Sequence, residues 1–252
     1  MRVHPLIMAC RRDLGMLAWL LESLQELRRP EIASPLITVD EALTTDEHAA
    51  LGRYGATVWQ RRPGFGQWGM PSSVIKLQIL GHAARRPEVD PADYLWCLDC
   101  DVAVVSDAIL DRIDGQADLY GLAHTALTPT TRFGPWGHVS GCCNFLRARV
   151  ARRFATLGPA ECQALEMEMR REQLCLNEDV VLTYAAQCCG ATRQDLTGPA
   201  IYCDDLAGVL LHGKHGYSVV HYNVEAGPFG GHQIRGKWDV PALVRAERGL
   251  PA

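Results

Sequence analysis

Residues 93–105, DYLWCLDCDVAVV, decide the fold. Tyr94 to Leu98 is a short apolar run of the kind that forms a buried strand. It ends in two aspartates, Asp99 and Asp101, separated by Cys100, and residues 102–105 are apolar again. On a strand, residues two apart project to the same side, so the pair would aim two carboxylates from the strand's carboxyl end. Like charges at that spacing are costly to bury without a cation between them. A Mg²⁺ or Mn²⁺ ion that also holds a diphosphate suits such a pair. The same tripeptide also fits a strand leaving the core into a turn, where Asp is common.

Upstream, the pattern alternates. Residues 6–10 read as a strand, and 14–27 as a helix with apolar residues at 14, 17, 20, 21, 24 and 27, opened by Asp13. Residues 35–39 form a second strand that ends at Asp40. Thr44 or Thr45 caps a helix to about Tyr54, Gly55 stops it, and 56–59 is a third strand. This β-α-β-α-β order opens a mostly parallel sheet, with 93–105 holding its fourth strand. A loop at 61–70 carries Gly64, Gly66 and Gly69 in G-x-G-x-x-G spacing. A dinucleotide turn belongs after the first strand, so this one reads as a mobile loop near a ligand. The helix that follows, 71–85, turns Val74, Leu77, Ile79 and Leu80 to the core. Its Lys76 is either a solvated residue or a contact to donor phosphate or sugar.

Downstream, Ser106 caps a short helix, 118–123 is a strand, and 125–138 is a Thr-, Pro- and Gly-rich loop. Residues 139–146 form a strand interrupted by Gly141, which points to close backbone approach to a ligand. Two helices, 149–157 and 159–174, precede Asn177-Glu178-Asp179, which opens an apolar helix to Cys188. Acids there are ordinary caps, or a catalytic base aimed at the carboxyl ends of the sheet. Short strands at 209–211 and 218–222 carry or border His212, His215 and His221, and the Gly-rich tail from 223 reads as a lid. The chain reads as one domain in three stretches, 1–105, 106–222 and a flexible lid or tail at 223–252.

The chain has 252 residues and net charge −4, so no broad basic surface marks a nucleic-acid partner. No run of about 18 apolar residues provides a membrane span, and the charged start is not a signal peptide. Ten cysteines lack zinc spacing and read as reduced, mostly buried small hydrophobes of a cytoplasmic protein. Five Arg pairs, Arg61-Arg62 among them, read as solvated helix ends.

In order and spacing these signals resemble a nucleotide-sugar-dependent glycosyltransferase of the GT-A type, with a Rossmann-related α/β fold. The pieces are LIMACRRDLGMLAWLLESL, PLITVD, LDCDV, Gly141-x-x-Asn144, the NED at 177–179 and a later histidine. The resemblance implies that Ala9, Cys10 and Arg11 line the nucleotide site and that Asp40 contacts base or ribose. It implies that Asp99 and Asp101, flanking Cys100, hold ribose and metal. His221 would complete the metal shell better than His212 or His215. Asp179, with Glu178 beside it, matches the acidic catalytic position, and inversion would follow. Gly141 and Asn144 would border the donor. The donor would be a uridine diphosphosugar, the cofactor Mn²⁺ or Mg²⁺, and the acceptor is left open. Gly141-Cys142 departs from the family's paired small residues, and the tail lacks a clear family ending. Rival readings are a haloacid-dehalogenase-like phosphohydrolase, with Asp204-Asp205 as its later acids, a sugar-nucleotide nucleotidyltransferase, and a non-catalytic nucleotide-sugar-binding module.

Overall fold

A computed structural model describes residues 1–61, 70–124, 137–196, 202–203, 218–221 and 245. Most of the 61–70 loop, the 125–136 stretch, His212, His215, Asp204-Asp205 and all but one residue of the 223–252 tail lie outside the described residues.

Six helices and ten strands are described. Strand β1 (Val3–Ala9) leads through a 3-10 turn into α1 (Leu14–Gln25). Then come β2 (Leu36–Val39), α2 (Thr45–Gly52), β3 (Thr57–Gln60), α3 (Met70–Ala84) and β4 (Tyr94–Asp99). The second part holds β5 (Val102–Val104), β6 (Leu119–His124), β7 (His138–Arg147), α4 (Ala148–Phe154), α5 (Pro159–Arg171) and α6 (Glu178–Cys188). Short strands β8 (Arg193–Asp195), β9 (Tyr202–Cys203) and β10 (Val219–His221) follow. The alternation expected for the first sixty residues is present. Thr44 caps α2 in a reciprocal box with Glu47. Asp13 occupies the cap position of α1, but its side chain makes no capping hydrogen bond.

The main sheet has the order β3-β2-β1-β4-β7-β6-β8. Only β7 runs against the others. The sheet is continuous across both halves of the chain, so the α/β architecture is a single domain, as expected. β1 is buried along its whole length, as a central strand covered on both faces must be. One face packs Leu6, Met8, Leu95 and Cys97 against α3, α4 and α6. The other packs Ile7, Trp96 and Leu98 against α1 and the second, three-stranded sheet. Trp96 also stacks on Phe145, with ring centroids 5.1 Å apart.

The order reverses at β1, which has β2 on one side and β4 on the other. Ligands of open α/β sheets bind at such a switch, beyond the carboxyl ends of the strands. Two expectations change here. Asp101 does not share a strand end with Asp99: β4 ends at Asp99, residues 100–101 form a turn, and β5 belongs to the second sheet. The Arg pairs are not all solvated either. Arg61 is buried, and Arg152 donates to the carbonyls of Ala84 and Val89 at 2.8 and 2.7 Å.

Helix α3 lies against the end of α4 with almost no gap. A Cβ on Gly81 would sit 2.3 Å from the backbone nitrogen of Ala155. Gly81→Ala should therefore lower stability by about 1–3 kcal/mol in urea titration. Gly15→Ala on α1, where a Cβ meets nothing within 4 Å, should leave stability unchanged or raise it by about 0.4–1 kcal/mol.

Candidate functional site

The switch point gathers most of the expected residues. Asp99 ends β4 beside Met8 of β1. By strand alternation it continues the side of Leu95 and Cys97, which faces α3 and α6. Asp99, Cys100 and Asp101 are all half-buried. Burial pushes the Cys100 thiol well up, and Asp101, Asp13 and Asp99 add to it. His221 pairs across the second sheet with Val102, the residue after Asp101. The register thus brings its backbone next to the Asp pair. Among the described residues no three His, Cys, Asp or Glu side chains form a ready metal cluster.

Beside β1, the carboxylate of Asp40 accepts a hydrogen bond from the Arg11 backbone N–H at 2.9 Å. Burial works to raise the Asp40 carboxyl. The Arg11 amide, the Cys10 thiol and the Arg61 guanidinium outweigh it, and the net direction is down. Burial and the same carboxylate push the Cys10 thiol up to about 11. The Arg11 side chain turns away to Glu47, at 3.1 Å. Ala9 is sealed from solvent, and its carbonyl accepts from Arg61.

Lys76 is the residue that the sequence left open, and it is fully buried. Its ammonium lies 3.4 Å from Glu178 Oε1 and donates to the Gly141 carbonyl at 3.4 Å. Burial alone would drive the ammonium down. The carboxylates of Glu178, Asp99 and Asp179 outweigh burial, and the net direction is up. The solvated reading of Lys76 is overturned, and the groups around it are carboxylates of this chain. Its burial was legible: Ser72, Ser73, Leu77, Leu80, Ala83 and Ala84 are buried at helical spacing around it.

Helix α6 is set so that its first turn meets this ammonium. The Asn177 side chain caps it by accepting from the Val180 N–H at 3.0 Å. Thr183 Oγ1 accepts from the Val139 N–H at 3.1 Å and so ties α6 to β7. Ser73 donates to the Leu176 carbonyl at 3.1 Å and ties in α3. The expected close approach at Gly141 is real, but the approaching groups belong to the protein. A Cβ there would lie 2.0 Å from Asp179 Oδ1 and 3.0 Å from Lys76 Nζ. Asn144 is fully buried and donates to the carbonyls of Ser140 and Gly141 at 3.0 and 3.4 Å. It braces the strand at Gly141 from within the core.

Of the cysteines described, none is in a disulfide; Cys97 and Cys143 are buried, and Cys175 and Cys188 are exposed. The expectation of general burial is corrected accordingly. No described helix is long and apolar enough to cross a membrane.

No protein-family model and no curated protein matches the chain. Solved structures do match. The galactosyltransferase LgtC, crystallised with donor and acceptor sugar analogues, is 15% identical with a TM-score of 0.61, over 98% of this chain and 95% of that one. Mouse xyloside xylosyltransferase 1 is 13% identical with a TM-score of 0.54, over 88% of this chain and 97% of that one. The bifunctional glycosyltransferase WbbM is 11% identical with a TM-score of 0.58, over 90% and 46%. The fold is that of GT-A-type glycosyltransferases.

Gly141→Ala must displace the Asp179 carboxylate or the β7 backbone. Chemical denaturation should show a loss of about 1–3 kcal/mol, as for other overpacked sites. Wild-type stability for that variant would contradict the contact.

Proposed function

We propose that this chain is a glycosyltransferase. It moves a sugar from a nucleotide diphosphosugar, with uridine the expected nucleoside, to an acceptor still to be identified. The observation that carries the reading is the meeting of Asp99, at the end of β4, with the Lys76, Glu178 and Asp179 cluster at the switch point of this fold.

The donor set suits Mg²⁺ or Mn²⁺, because half-buried carboxylates are hard oxygen ligands. Asp99 and Asp101 would hold the ion, and His221, whose backbone pairs with Val102, would join them. When bound, the ion supplies positive charge against the leaving diphosphate. Asp40 and the chain at Ala9–Arg11 would meet base and ribose. Lys76 would hold the acids of α6 in place from beneath, and Gly141 would leave room for the Asp179 carboxylate.

Asp179 is the candidate base. The positive end of a helix dipole favours an ionised carboxylate. Such a group can take the proton of an acceptor hydroxyl in an inverting transfer. One observation favours retention instead: a carboxylate engaged with a buried ammonium is a weaker base. Proton NMR of the first product decides between the two anomers.

Thermal-shift titration with nucleoside diphosphates, with and without Mn²⁺, tests the donor assignment. Uridine diphosphate should stabilise the protein most, and only with the ion present. Asp101→Ala should abolish that stabilisation while the unliganded protein melts as wild type does. An undiminished shift in the variant refutes the metal assignment. Asp179→Asn should lower kcat by about 10²-fold or more and leave donor affinity nearly unchanged. Wild-type turnover in that variant removes Asp179 from the chemistry.

A further inference from the structure

Arg61 follows directly on β3 and is 6% exposed. Its backbone N–H donates to the Val39 carbonyl at 2.8 Å, continuing the β2–β3 ladder by one residue. Its Nη1 donates to two carbonyls, Ala9 and Thr38, each at 2.7 Å. Those acceptors lie on the adjacent strands β1 and β2 and are 52 and 23 residues away in sequence. Its Nη2 reaches the Cys10 sulfur at 3.9 Å. Cys10 hydrogen-bonds Asp40, and Asp40 accepts from the Arg11 amide. One guanidinium therefore closes a loop of contacts around the carboxyl ends of β1 and β2.

We propose that Arg61 is a positioning residue of the donor site, whose guanidinium clamps the ends of β1 and β2 and so fixes Cys10, Arg11 and Asp40 for the nucleoside. The inference rests on the donor-site reading given above. Its physical basis is the fork of the side chain. A planar guanidinium presents several N–H groups in fixed directions, whereas an ammonium is a single point of charge. Burying a cation this deeply is costly unless it is hydrogen-bonded, and Nη1 is bonded twice, to the backbone that carries the expected nucleoside contacts. The same charge acts on Asp40, and Asp13, Asp99 and Asp101 gather around Cys100 on the same edge. An anionic diphosphate approaching that edge meets less repulsion with the guanidinium in place.

The test uses the full chain as wild type, Arg61→Met and Arg61→Lys. The dissociation constant for uridine diphosphate with Mn²⁺ is measured by calorimetry, and amide hydrogen exchange is followed at Arg11 and, far away, at Tyr120 and Phe145. Arg61→Met should weaken binding by about 10-fold or more and speed Arg11 exchange by a similar factor, because two buried carbonyls lose their donor. Exchange at Tyr120 and Phe145 should not change. Arg61→Lys keeps the charge without the fork. It should fold even if Arg61→Met does not, and should lose an intermediate amount of affinity. Wild-type affinity in both variants overturns the inference alone. Exchange that rises equally at all three amides also overturns it, because the role is then general stability. A wild type that binds no nucleoside diphosphate overturns the donor reading and this inference with it.

Discussion

The carboxyl edge of this sheet depends on one buried ammonium. Lys76 has no water to solvate it, and an uncompensated charge at such depth costs several kcal/mol. Its compensation comes from three carboxylates on two separate elements: Asp99 from β4, and Glu178 and Asp179 from the first turn of α6. The arrangement is reciprocal. Without Lys76 the acids of α6 would face Asp99 across a half-buried gap, and like charges repel strongly there. Each partner makes the burial of the others tolerable, so α3, β4 and α6 are held in one geometry by charge as well as by packing.

A second buried cation stands on the other side of β1. Arg61 satisfies carbonyls of β1 and β2, while Lys76 satisfies a carbonyl of β7. The two cations therefore bracket the point where the strand order reverses. Parallel strands leave outward-facing carbonyls at their carboxyl ends, and here the acids Asp40 and Asp99 add to that negative edge. Fixed cations beneath it offset the field without occupying the open face.

Much of this was legible in the sequence, and the gaps have physical causes. The β-α-β-α-β opening follows from periodicity and caps, which are local, and the structure reproduces it. The Asp99–Asp101 pair was found, but strand alternation was carried two residues too far. Alternation holds only while the ladder lasts, and it ends at Asp99. β8 and β9 were missed because strands of three and two residues carry no period. Arg61 gave no local signal, since its partners are distant in sequence and its neighbour Arg62 suggests solvent. Gly141 was read as room for a ligand. The room is real, but the tenant is Asp179, which lies 38 positions further along the chain.

The two acids of α6 are constrained in different ways. Glu178 is held by charge, through its contact with Lys76. Asp179 also feels the ammonium, and it is held by shape as well, because its carboxylate occupies the space that any side chain at position 141 would fill. Neighbours on a helix do not share a face, so one ammonium cannot orient both equally well. The pairing of Glu178 keeps the first turn of α6 in place, and the absent Cβ of Gly141 leaves space for the Asp179 carboxylate. Charge thus acts on both acids, and shape adds a support to Asp179. A change that removes the ammonium disturbs both acids, whereas one that adds a methyl at position 141 disturbs Asp179 first. The catalytic position implied by the resemblance is the one that depends on shape, and shape is the constraint that a sequence read one residue at a time reveals least.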